Sequence, residues 1–153
     1  MRLREEIAAV RGGAGRPERM LGEFRRSVLL APISDGGLMS GERGGVRWLY
    51  AFTDEDALAR FVTARGMDPA TELEYVSILG ARLVDAVVPS LDGPTGVAVD
   101  VADEDGAMLF PPVRGVVPDA VAVDAPTVDA PAARAATPAA PAAVEAPYPG
   151  GER

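Results

Sequence analysis

The chain has 153 residues, 15 basic against 23 acidic groups and a net charge of −8, with 48% hydrophobic residues, the size of one domain with one modest core. It contains no His, Cys, Lys, Asn or Gln, so every basic side chain is an arginine. Disulfides, thiolate metal sites, Ser–His and Cys–His nucleophiles, Schiff-base lysines and Walker-type phosphate loops each lose an obligatory member. No cofactor and no metal is therefore expected.

Charge is unevenly spread. Residues 1–26 carry seven arginines and four acids, whereas residues 27–115 carry six arginines and fourteen acids. An acidic body repels polyphosphate, so nucleic acid is not expected as a partner. The N-terminus is charged and lacks a following apolar stretch of secretory length, and the apolar run at 28–32 is only strand length. The expectation is a cytoplasmic protein with no membrane span.

Residues 2–26 read as two short helices forming an N-terminal pair. Leu3, Ile7 and Val10 recur at helical spacing, with Glu5 and Glu6 early and Arg11 late, as the helix dipole favours. Gly12, Gly13 and Gly15 break that helix. Pro17 then sits where a first-turn proline belongs, ahead of a Met20, Leu21, Phe24 stripe.

Residues 27–116 form the expected α/β core. A strand at 28–31 is halted by Pro32, and residues 34–45, with five glycines, read as a loop. Residues 46–52 alternate as a strand that is apolar on both faces, which argues for a central position. Thr53 is placed to cap the next helix, with Asp54, Glu55 and Asp56 in its first turn, Ala57, Leu58, Phe61 and Val62 as its buried stripe, and Gly66 as its stop. A third strand follows at 74–79, then a helix bearing Leu83, Val84 and Val87 that ends at Pro89. Residues 95–101 and 107–110 make an antiparallel hairpin about Asp105-Gly106, with Val97, Val99 and Val101 on one face.

From residue 117 the composition changes. Thirteen alanines fall between Ala120 and Ala146, and proline recurs at Pro126, Pro131, Pro138, Pro141 and Pro147. Such a segment buries too little surface to offset its ordering entropy, so residues 117–153 are expected to be a disordered tail. The predicted class is α+β: a small, mixed, mostly antiparallel sheet with packed helices, an N-terminal helical pair and that tail.

The chemistry left open is narrow. Carboxylates are the remaining common acid–base groups, but nothing singles out a pair among 23. Aligning Gly106 with the glycine of a calcium loop puts Asp103 and Asp105 in place, but Val101 and Pro112 fall where essential ligands belong. The glycines at 12–15 follow a helix, and Glu18 takes the third glycine position of the dinucleotide pattern. Arg43, Arg47, Trp48 and Tyr50 have recognition character, because arginine and aromatics are favoured at interface hot spots. If the glycine segment folds back over the second strand, Arg43 and Arg47 would face a partner's carboxylate. The competing reading makes Trp48 and Tyr50 core residues and leaves both arginines in water.

The junction Trp48-Leu49-Tyr50-Ala51-Phe52-Thr53-Asp54-Glu55, with Ala57-Leu58-Ala59-Arg60-Phe61 after it, resembles the N-terminal domain of the SseB protein family. The segment Gly96-Val97-Ala98-Val99-Asp100 leading to Phe110-Pro111-Pro112 resembles that family's later part, though Val99-Asp100-Val101 stands where many members have an Asn-Pro-Gly-type turn. The resemblance spans roughly residues 20–120 and implies a divergent, actinobacterial-type member. It also implies a non-enzymatic accessory module that binds another protein, with an expected link to secretion or toxin–immunity systems. The alternative is a small anionic-ligand sensor or a carboxylate-only enzyme.

Overall fold

A computed structural model describes residues 2–68 and 73–124. The order is α1 (Arg2–Arg11), α2 (Pro17–Arg26), β1 (Val28–Ser34), β2 (Gly37–Leu38), β3 (Ser40–Arg43), β4 (Val46–Ala51), α3 (Glu55–Ala64), β5 (Tyr75–Leu79), a composite helix, β6 (Thr95–Val99) and β7 (Met108–Phe110). The composite helix joins an α turn, Gly80–Arg82, to a π turn, Leu83–Val87, and a 3₁₀ turn, Val88–Ser90. The fold is α+β.

The strands form two sheets, β2-β1-β5 and β3-β4-β6-β7, in which β4–β6 is the one parallel pair. A reciprocal pair of 2.8 Å hydrogen bonds between Leu30 and Phe52 joins them. β4 lies inside its sheet, as its two apolar faces require. One face of the sheets packs against α1, α2 and the composite helix around Leu3, Ile7, Phe24, Leu49, Val84 and Phe110. Within this core the rings of Phe24 and Phe110 stack at 4.2 Å. On the opposite face a smaller core gathers Phe52, Ala57, Leu58 and Phe61 beneath α3. Arg11 fastens α1 to the hairpin connection by donating to the carbonyls of Ala107 and Glu104, each at 2.7 Å.

Several sequence expectations need correction. Pro32 does not halt the first strand, which runs on to Ser34. The Pro32 carbonyl accepts from Met39 N–H at 2.8 Å, and the Met39 carbonyl accepts from Tyr50 N–H at 3.1 Å. Because proline has no N–H to offer Met39, that carbonyl is left for β4, and the hydrogen-bonded ribbon crosses from one sheet to the other there.

The glycine-rich segment is also more than a loop. Asp35 and Gly36 have φ of 54° and 81°, and Gly44 and Gly45 have 62° and 81°. Two consecutive positive φ values make the tight turns that match strand twist. The segment thus becomes β2 and β3, with β3 folded back antiparallel on β4.

Asp54, not Thr53, caps α3: its Oδ1 accepts from Ala57 N–H at 2.8 Å. β6 stops at Val99, because Asp100 at φ 51° turns the chain and sends Val101 to the α3 side. The start of the expected tail folds back instead. Val117 is buried, and Val121 and Ala122 pack on the larger core. The rest of the tail expectation lies outside the described residues.

Candidate binding groove

β4 sends Trp48 and Tyr50 to the α3 side of the sheet, and its neighbours clear space for them. Gly41 pairs with Trp48 across β3, while Gly96 and Ala98 pair with Trp48 and Tyr50 across β6. A Cβ on Gly96 would lie 2.7 Å from the Trp48 ring, and one on Gly41 would overlap the Tyr50 hydroxyl. Both rings therefore lie low across a floor of small residues.

α3 covers only part of this face. The remainder is an open groove of about 320 Å³, floored by Trp48, Tyr50, Ala98 and Leu109 and walled by Phe61, Ala64 and Arg65. Arg43 stands on its rim. Register places Glu42 opposite Arg47, so of the residues bordering the groove the acidic one alternates toward the other face of β3.

Arg65 is the best-anchored polar group here. Its guanidinium carbon lies 5.2 Å from the Tyr50 ring centre and 4.9 Å from that of Phe61. Its Nη2 donates to the Tyr50 hydroxyl at 2.6 Å. Cation–π attraction and this bond hold the guanidinium against the two rings, and its five N–H donors exceed what the one bond uses.

The structure brings together Arg43, Trp48 and Tyr50 but not Arg47. Strand alternation puts Arg47 on the same face as Leu49 and Ala51, which belong to the larger core. Trp48 and Tyr50 are half-buried, so neither of the two sequence readings, core or contact, describes them alone. Arg65 was missed. It lies one turn beyond the last apolar positions of α3, and its only sequence signal is its i+4 spacing from Phe61.

A second, smaller cavity of about 230 Å³ lies on the far flank of α3, between Glu55, Leu58, Val62, Leu73 and Tyr75. There the Tyr75 hydroxyl donates to Glu55 Oε2 at 2.6 Å, and this bond to a carboxylate raises the tyrosine pKa. No cation borders that cavity among the described residues.

Near the ends of β4 and β6, acids and arginines are already paired. Arg60 grips Asp103 through two bonds of 2.5 and 2.8 Å, which lowers the Asp103 pKa and raises that of Arg60. Arg4 donates to Asp54 at 2.5 Å. Asp100 is buried against Thr53, and desolvation raises its pKa. No group of three or more His, Cys, Asp or Glu among the described residues is placed to hold a metal ion. Nor is any described helix long and apolar enough to cross a membrane.

Comparison with protein-family models, with curated proteins and with solved structures gives no match to this chain. The likeness to the SseB family thus rests on the residues quoted above.

Proposed function

We propose that the chain is a non-catalytic binding module whose groove receives an acidic, partly apolar segment of another protein. The observation that carries this reading is Arg65, held against the rings of Tyr50 and Phe61 at the edge of a groove floored by Trp48. Arg43 supplies a second guanidinium to the same groove. Arginine beside tryptophan and tyrosine is the composition that dominates interface energetics. Guanidinium groups also favour carboxylates, which they bind through paired hydrogen bonds.

The groove is open along one side of the sheet, which suits a side chain presented by a protein surface better than an enclosed metabolite. Catalysis has little to work with here. The sequence has no imidazole, thiol or amine side chain, and among the described residues the one carboxylate bordering the groove belongs to Glu42. A module of this kind fits the accessory role implied by the SseB resemblance, including a link to secretion or toxin–immunity systems.

Selection from a displayed peptide library tests the reading. Enriched sequences should combine Asp or Glu with a large apolar residue, and their binding should fall at least tenfold in Arg43→Glu and in Arg65→Glu. A library that yields no common motif, or peptides indifferent to both substitutions, overturns it. Stabilisation by small anionic aromatics with no peptide binding would move the assignment to a ligand sensor.

A further inference from the structure

β5 ends its sheet. β1 pairs with one side of it, and no described strand pairs with the other. Tyr75, Val76 and Leu79 are exposed by 37%, 38% and 45%, and Val28, beside Leu79 on β1, by 55%. The strand Tyr-Val-Ser-Ile-Leu carries no charge and no proline. Those are the devices that normally keep an edge strand from pairing with another chain.

The direction of its backbone groups follows from the register. Ile33 N–H donates to the Glu74 carbonyl at 2.8 Å, and Gly80 N–H donates to the Ser27 carbonyl at 3.0 Å. In an antiparallel ladder the bonding side alternates, so Glu74, Val76, Ile78 and Gly80 turn toward β1. Tyr75, Ser77 and Leu79 therefore turn their N–H and C=O groups outward.

We propose that a second copy of this chain pairs with this edge, β5 against β5, antiparallel about a two-fold axis at Ser77. Centred there, Tyr75 of each copy lies opposite Leu79 of the other and Ser77 opposite Ser77. All three outward-facing positions then become hydrogen-bonded pairs, and any other centre leaves at least one outward group unmatched within the strand. On one face tyrosine meets leucine on either side of a small central residue. On the other, Val76 meets Ile78.

The edge is its own complement about Ser77, which favours a second copy over an unrelated strand. The chain carries −8, so most self-contacts would bring acid to acid. β5 holds no charged residue, and in this register Glu74 of one copy meets Gly80 of the other, so the pairing sets no acid opposite an acid. An isologous interface repeats that match on both sides of its axis.

Sedimentation velocity of the full chain over a concentration series tests this pairing. The sedimenting mass should double as concentration rises. Ser77→Lys and Ser77→Glu should each return it to the single-chain value, because like charges then meet at the axis. The Ser77 side chain is exposed, so far-ultraviolet circular dichroism of both variants should match the parent. An equimolar mixture of the two should recover the doubled mass. A parent chain that stays monomeric throughout overturns the proposal. So does a dimer that survives Ser77→Lys, or a mixture that fails to associate.

Discussion

Asp100 and Thr53 lock together the ends of the two parallel strands. Thr53 N–H donates to Asp100 Oδ1 at 2.9 Å, and the Thr53 hydroxyl donates to Oδ2 at 2.8 Å. Both residues are buried, Asp100 at 1% exposure. A carboxylate satisfied on both oxygens still loses much of its hydration at such a site, and burial outweighs the two bonds in setting its pKa above the ordinary aspartate range.

A raised folded-state pKa contributes stability that is complete below the ordinary aspartate range and is lost as pH rises through Asp100's own titration. At neutral pH the charge is therefore a cost. Asp100→Asn keeps an acceptor for the Thr53 N–H, offers an N–H to its hydroxyl and tolerates the positive φ. It should raise the melting temperature at pH 7, and the gain should shrink as the pH falls toward the ordinary aspartate range. Asp100→Ala should cost about 2–3 kcal/mol, because it strands both Thr53 donors. Asp85, bonded by Arg25 at 2.7 and 3.1 Å, and Asp103, bonded by Arg60, have lowered pKa values and act in the opposite sense. Their contribution is present above the ordinary aspartate range and is lost as pH falls through their own titration, which melting curves at acid pH would record.

The exchange of roles between Thr53 and Asp54 is separable by mutation. Asp54→Ala removes the α3 cap and the Arg4 contact and should cost about 1–2 kcal/mol in chemical denaturation. Asp54→Asn, which can still cap, should recover most of that loss. Thr53→Val leaves the cap intact but deprives Asp100 of its hydroxyl donor, so its cost should largely vanish in the Asp100→Ala background, where the hydroxyl has no partner left to lose.

The groove depends on a missing side chain. Gly41→Ala places a methyl group against the Tyr50 hydroxyl and so disturbs the bond from Arg65. It should destabilise the fold by about 1–3 kcal/mol and weaken any groove ligand. Tyr50→Phe removes the clashing atom. The double variant should be more stable than Gly41→Ala alone, and a double-mutant cycle in urea would measure that coupling.

Gly80 is a stricter case. A Cβ there would overlap the Phe24 carbonyl oxygen where α2 meets the composite helix. Backbone does not swing aside as a flexible side chain does, so Gly80→Ala should cost about 3 kcal/mol, the upper end for overpacking. The midpoint of urea unfolding should drop accordingly, despite alanine's better helix propensity.

Local signals along the chain sufficed for α1 and α2, the two-faced β4, the acidic first turn of α3 and its Gly66 stop. Asp35-Gly36 and Gly44-Gly45 were equally local hairpin signals, obscured by the glycine content around them. Only tertiary structure decided that β1 runs through Pro32, because that depends on which neighbour needs a hydrogen-bond donor. It also decided that Thr53 turns away from α3 to meet Asp100, 47 residues further along. Strand alternation dismantled the Arg43, Arg47, Trp48, Tyr50 set by sending Arg47 to the opposite face, and Arg65 took its place through a contact that spans β4 and α3. Pattern along a chain reports which face a residue prefers, whereas a binding surface is made where faces of separate elements meet.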